Sequence, residues 1–133
     1  MIRLYDSGFR GECRTERAEQ IDSISWLAYN YPEEFALSWH TPNESSGNAF
    51  HHSLRVMEGV KAGVPDIIHI GGTDVWRAGL FELKRLDRTK SRISDEQRAF
   101  LESADARGCF AAVCYGFEQF KVSWLEYLSG LRS

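Results

Sequence analysis

No uninterrupted apolar run in this chain approaches the roughly 20 residues that a membrane-crossing helix needs. The first residues, Met1-Ile2-Arg3-Leu4-Tyr5-Asp6, also lack the apolar core of a signal peptide. Cysteine is scarce, and Cys13, Cys109 and Cys114 are odd in number with no paired or metal-ligand spacing, which points to free thiols in a reducing, cytoplasmic setting. There the sequon Asn43-Glu44-Ser45 carries no glycan. An excess of positive charge is missing too: 16 Lys and Arg against 19 Asp and Glu leave a formal net charge of -3. Indiscriminate binding to polyanions is therefore not expected, although a local basic patch can still attract a phosphate backbone. Internal repeats and linker-like stretches are absent as well, so residues 1–133, 43% apolar and 26% charged, read as a single domain around one core.

What the chain does have is an alternation of helical and strand patterns. Residues 1–14 show no sustained periodicity, with Gly8 and Gly11 interrupting them, and read as a tail or edge segment. Thr15 is placed as a helix N-cap, after which Ala18, Ile21, Ile24, Leu27 and Ala28 recur at helical spacing as far as Tyr29 to Pro32. Glu16 and Gln20 lie four apart at the edge of that apolar face. Phe35 to His40 alternates like a strand and is closed by the turn residues 41–47. A second helix is expected from Asn48 to Ala62, with Phe50, Leu54, Met57 and Val60 as its buried row and Gly63 ending it. Ile67, Ile68 and Ile70 make a short apolar strand, Gly71-Gly72-Thr73-Asp74 a turn, and Ala78 to Arg85 a strand that pairs back as a hairpin. After the polar loop 85–93, Ser94-Asp95-Glu96-Gln97 opens a helix with a capping-box pattern, turning Gln97, Phe100, Leu101 and Ala104 inward. Gly108 ends it, Cys109 to Tyr115 reads as a buried strand, and a last helix from Phe117 to Ser129 points Phe120, Trp124, Leu125 and Leu128 inward. The pattern is that of an α/β fold with a mixed sheet of about four strands flanked by helices.

Two strands put ionisable groups where apolar residues ought to continue. Asp66 opens one after Gly63-Val64-Pro65, and Glu82 and Lys84 interrupt the other, sharing one face while Phe81 and Leu83 take the opposite one. Singly, Asp66 could cap a turn, and Glu82 with Lys84 could be the solvated face of an edge strand. Together, two carboxylates with a backbone oxygen and water can hold a hard cation such as Mg²⁺. Such an ion polarises a phosphodiester and lowers the pKa of a bound water. A lysine on the same face would orient that water or offset charge building on phosphorus. The run Lys84, Arg85, Arg88, Lys90, Arg92 and Arg98, set against Asp87, Asp95 and Glu96, is either a solvated loop or a set of phosphate contacts beside that strand. His51 lines up with Arg55 and Glu58 on an exposed helix face, so His51 and His52 read as a solvated pair. Trp26, Trp39, Trp76 and Trp124 read as packing residues, with Trp76 at a hairpin tip open to either packing or exposure.

These residues resemble the PD-(D/E)XK nuclease superfamily, Pro65-Asp66 standing for the PD and Glu82-Leu83-Lys84 for the ExK. More closely, the chain resembles a VRR-NUC domain of the stand-alone kind found in bacteriophage genomes. The matching pieces are Glu16 with Gln20, Trp26-Leu27 leading to Tyr31-Pro32-Glu33, Pro42-Asn43, the run Lys61 to Asp66, Glu82-Leu83-Lys84, and Ser94-Asp95-Glu96-Gln97. Six pieces in the right order over residues 15–130 are a specific signal, whereas a Pro-Asp and a Glu-x-Lys alone occur by chance. The resemblance implies a restriction-endonuclease-like core, with Glu16, Asp66, Glu82 and the Leu83 main-chain carbonyl as ligands of Mg²⁺ or Mn²⁺. It further implies Lys84 as the catalytic lysine and Gln97 as a support from the next helix. Without the resemblance, Glu16 suits the dipole of a helix start and Gln97 serves a capping box on its own. Asn43 and Lys61 in the matched pieces, and Arg85, Arg88, Lys90 and Arg92 in the loop, are the candidate DNA contacts. The implied activity is metal-dependent DNA phosphodiester hydrolysis by a homodimer on branched DNA such as a Holliday junction, in a bacterial or phage-infected cell. Alternatives are a nuclease of other specificity (nicking, flap-cutting or replication-associated) and a non-catalytic DNA-binding module. One departure stands out: relatives often have glycine and arginine after the Pro-Asn, where this chain has Glu44-Ser45-Ser46-Gly47.

Overall fold

The computed structural model describes residues 1–42 and 49–130, so Asn43 and the Glu44-Ser45-Ser46-Gly47 departure lie outside the described residues. In chain order the elements are β1 (Arg3–Tyr5), α1 (Glu16–Asn30), α2 (Pro32–Phe35), β2 (Ser38–His40), α3 (Ala49–Met57), β3 (Ile67–His69), β4 (Gly79–Lys84), α4 (Asp95–Ala106), β5 (Phe110–Tyr115) and α5 (Phe117–Ser129). The strands form one mixed sheet in the order β1-β5-β4-β3-β2. β1, β5 and β4 run parallel, while β3 is antiparallel to both β4 and β2.

The central strands are buried at every position, as parallel pairs covered on both faces must be. One face holds Phe81, Leu83, Phe110, Ala112 and Cys114 against Leu27 of α1 and Phe120, Trp124 and Tyr127 of α5. The other holds Leu80, Ala111, Val113 and Tyr115 against Leu101 of α4. Alternation along β4 therefore directs Glu82 and Lys84 to the α4 side, the face that Leu80 begins. The helix starts are chemically specified: Thr15 Oγ1 accepts from Ala18 N (3.2 Å), and both halves of the Ser94–Gln97 capping box form.

Several expectations give way. The sheet has five strands rather than about four, because residues 3–5 join β5 as an edge strand. There Arg3 Nη1 and Tyr5 Oη both bond the Glu126 carboxylate, at 2.9 and 2.7 Å. Three residues are too few to display a period. The expected strand Phe35 to His40 splits, since Pro32 starts a helical turn through Phe35 and only Ser38–His40 pairs. The expected helix 48–62 stops at Met57, and its supposed buried row is uncovered, with Phe50 67%, Leu54 40%, Met57 81% and Val60 55% exposed. Periodicity identifies an apolar face without identifying anything to cover it. Gly63 does not end that helix: at φ +82° it passes the first turn of α4, where a Cβ would stand 2.5 Å from the Glu96 carbonyl carbon and oxygen. Ile21 and Leu125 face solvent, their expected places taken by Glu19 and Ser23 on α1 and by Tyr127 on α5. Trp76 is buried, edge-on to Phe110 at 5.4 Å.

Candidate active site

The β3–β4 pairing ends at Ile67 opposite Phe81, and just beyond it the Asp66 carboxylate takes the place of a main-chain partner. Its Oδ2 accepts from Leu83 N at 2.7 Å, while its carbonyl accepts from Thr41 N at 2.8 Å and stands 2.9 Å from His40 Nδ1. Beside it in the sheet is Glu82, 1% exposed. Glu82 Oε2 accepts from Gln97 Nε2 at 3.0 Å and lies 3.6 Å from Lys84 Nζ. Its other oxygen, Oε1, is buried with no hydrogen-bond partner among the described residues.

Burial and proximity keep these carboxyls from both ionising. The Glu82 carboxyl is pushed up to about 9, chiefly by burial and then by the charge of Asp66, with Lys84 opposing. Asp66 is also raised by burial, held back by the Leu83 N–H. Each carboxyl acts on the other, lowering Asp66 and raising Glu82. Glu16, exposed at the start of α1, accepts from Ser91 Oγ at 3.1 Å, and its charge raises both carboxyls further. Among the described residues, no three Asp, Glu, His or Cys side chains gather closely enough to hold an ion between them. Glu16 acts on the Asp66–Glu82 pair through its field.

Lys84 is fixed by two acceptors and lies 3.6 Å from Glu82 Oε2. Its Nζ donates to the Arg92 carbonyl at 2.8 Å and to Gln97 Oε1 at 3.1 Å, on the side facing Glu82. Gln97 fills both of the roles left open by the sequence. Oε1 caps Ser94 N at 2.9 Å while accepting from Lys84, and Nε2 donates to Glu82.

Two of the basic residues have protein partners. Arg85 donates to the Arg14 carbonyl at 3.0 Å and the Cys13 carbonyl at 2.8 Å, and Arg88 lies 3.5 Å from Asp6 and 5.4 Å from the Tyr115 ring centroid. Lys61, Lys90 and Arg92 are exposed, as are His51 and His52.

Sequence reasoning missed other polar groups. Glu19, 4% exposed, accepts from Phe117 N at the start of α5 (2.9 Å) and from Arg14 Nη2 (2.7 Å). Its spacing to Ser23 and Leu27 was the available signal. Asp87, assigned to a solvated loop, is 3% exposed and accepts from Gly11 N (2.9 Å), Thr89 N (3.0 Å) and Thr89 Oγ1 (2.7 Å), bonds that lower its carboxyl to about 2. His69 is fully buried between Tyr127 Oη (2.6 Å) and Glu34 Oε1 (2.9 Å), and burial lowers its pKa. That histidine is a satisfied core group.

A mixed α/β sheet flanked by helices, with a Pro-Asp beside a buried Glu-x-Lys, has the restriction-endonuclease-like architecture of the PD-(D/E)XK superfamily. The VRR-NUC domain model matches residues 14–118, and the chain belongs to that family. A solved structure described as a VRR_NUC domain protein shares the fold, with a TM-score of 0.75 and 22% identity over 91% of this chain and 92% of that one. Comparison with curated proteins gives no match. Membership implies a nuclease-type function with DNA as substrate. No helix among the described residues is long and apolar enough to cross a membrane.

Proposed function

We propose that this chain is a Mg²⁺- or Mn²⁺-dependent DNA endonuclease selective for branched DNA, resolving four-way junctions as a homodimer, and that residues 1–133 form one nuclease domain. The observation that carries the reading is the Asp66–Glu82 pair: a half-buried and a buried carboxyl, both raised by burial, stand side by side, one Glu82 oxygen has no hydrogen-bond partner among the described residues, and a fixed lysine stands alongside. That arrangement fits a hard divalent cation, which prefers oxygen donors and would offset the charge of both carboxylates.

Asp66, Glu82 and the Leu83 carbonyl would hold the ion, with Glu16 completing its surroundings from α1. Bound there, it supplies charge to the phosphate and acidifies a water. The protein's own groups do the rest. Leu83 N–H and the Thr41 N–H hold Asp66 at the end of the ladder. Gln97 keeps one oxygen of Glu82 engaged and braces Lys84. Lys84 Nζ presents positive charge to the phosphoryl oxygens as negative charge develops there. Lys61, Lys90 and Arg92 are the exposed cations available to backbone phosphates, and Asn43 joins them by resemblance. Arg85 and Arg88 have protein partners and chiefly serve the fold.

Dimerisation rests on two supports: one site cuts one strand, so symmetric cleavage calls for a twofold pair, and the uncovered α3 row of Phe50, Leu54 and Met57 is an apolar face that a second copy would bury. The test is cleavage of four-way junction, flap, nicked and linear DNA with Mg²⁺ and with EDTA, alongside light scattering of wild type and Phe50→Asp. Junction-selective, EDTA-sensitive cleavage by a dimer that Phe50→Asp dissociates is expected. Flap or nick preference would assign another specificity, and binding without cleavage under any divalent ion would make the chain a non-catalytic module.

A further inference from the structure

Gln20 stands one helical turn beyond Glu16 on α1, on the same flank of the helix, with about 5–6 Å between the two Cβ atoms. Both ends of its amide, Oε1 and Nε2, are buried, and neither has a hydrogen-bond partner among the described residues. Burying an amide unpaired destabilises a fold, and an apolar side chain of the same shape would be neutral or better there. The sequence nevertheless keeps a glutamine at a position inside the helix edge. Trp124 Nε1 is also unpartnered, but the rings of Tyr31, His69 and Phe81 lie around it, a setting an indole tolerates. Gln20 has no comparable account.

Its place in the fold suggests one. α1 starts at the end of the sheet where β4 and β5 finish, because Glu19 accepts from Phe117 N directly after β5, and the helix packs back over β4. Glu16, one turn before Gln20, is near enough for its charge to act on Asp66 and Glu82. Among the described residues, Glu82 Oε1 is the other buried side-chain oxygen without a hydrogen-bond partner. We infer that Gln20 is a positioning residue for the water shell of the divalent cation, its amide oxygen accepting a hydrogen bond from a coordinated water. The inference rests on the cation site proposed above. Small hard cations keep several of their waters, and outer partners that orient such ligands commonly contribute 10- to 100-fold in metal affinity. An amide unsatisfied without the ion and satisfied with it is the expected signature of such a partner.

The test compares full-length wild type, Gln20→Met, Gln20→Glu and Asp66→Asn by calorimetric Mn²⁺ titration and by thermal unfolding with and without Mn²⁺. Gln20→Met is expected to melt, without metal, at or above the wild-type temperature while binding Mn²⁺ about 10- to 100-fold more weakly. Gln20→Glu, which keeps an oxygen at the same reach, is expected to bind at least as tightly as wild type. Asp66→Asn is expected to lose binding altogether. Unchanged Mn²⁺ affinity in Gln20→Met overturns the inference, and should that variant fail to fold, weakened binding by Gln20→Glu overturns it instead. If Asp66→Asn abolishes binding while both Gln20 variants bind as wild type, only the role of Gln20 fails. If wild type binds no Mn²⁺, or Asp66→Asn binds it normally, the cation site itself fails and this inference with it.

Discussion

The protonated Glu82 makes the metal-free protein sensitive to alkali, in a direction opposite to that of most carboxylates. Its folded pKa of about 9 lies above the ordinary 4.5, so the folded state holds a proton that the unfolded state releases. Stability is therefore intact below about pH 4.5 and declines as pH rises toward about 9. Asp87, lowered to about 2, acts oppositely: its contribution is present above the normal carboxylate range and lost only as pH falls toward about 2, outside that window. Chemical denaturation of metal-free protein between pH 5 and pH 9 should thus show falling stability that Glu82→Gln flattens. Gln97 allows a second residue-level separation. Ser94→Ala removes only the cap and should cost about 1 kcal/mol with cleavage intact. Gln97→Ala should lose a similar stability and also release Lys84, lowering kcat by roughly 100-fold or more, near the size of losing one fixed electrostatic donor. At this scale the sequence was most legible where spacing carries chemistry, in Pro65-Asp66, Glu82-x-Lys84 and the capping box. It was least legible for Glu19, Gln20, Asp87 and His69, whose meaning depends on partners between 35 and 98 positions away or, for Gln20, on having no hydrogen-bond partner among the described residues.

Elements with their own period and caps were predictable, and those defined by a neighbour were not. α1, α4, β4, β5 and α5 announce themselves through apolar spacing, Thr15, Ser94 and the buried runs. β1 and β2 exist because β5 and β3 offer them edges, which no local pattern encodes. α3 shows the converse failure, since its apolar spacing is sound while its covering surface is absent from the described chain. Between α3 and β3, Gly63 does the positioning: its positive φ and missing Cβ let the chain run against Glu96 and Gln97 and deliver Asp66 to the end of β4. Gly63→Ala combines a disfavoured backbone region with a clash against main chain, and should destabilise by about 2 kcal/mol or more. Equilibrium unfolding checks the loss, and cleavage should fall with it because α4 carries Gln97.

The whole molecule draws its candidate site together from distant parts of the chain, and its N-terminal segment contributes more than its sequence suggests. After β1, residues 11–14 are tied across the loop following β4: Asp87 holds Gly11, and Arg85 holds the carbonyls of Cys13 and Arg14 immediately before α1. Arg85 is accordingly a fastening of the Glu16-bearing helix to the Lys84-bearing strand. Arg85→Ala should lower thermal stability while leaving the salt dependence of DNA binding nearly unchanged. Lys90→Ala, at an exposed cation, should do the reverse, reducing the slope of log K against log salt by about one.

All of this turns on whether the Asp66–Glu82 pair is a cation site that cuts DNA. The most direct measurement is single-turnover cleavage of a labelled four-way junction by wild type and Glu82→Gln, each with Mg²⁺ and with EDTA. Glu82→Gln keeps the shape of the buried side chain but cannot supply a charged oxygen. Cleavage by wild type with Mg²⁺, and loss of it in EDTA and in the variant by at least about 1000-fold, is the predicted result. Wild-type cleavage that persists in EDTA, or a Glu82→Gln enzyme that cuts at the wild-type rate, would contradict it.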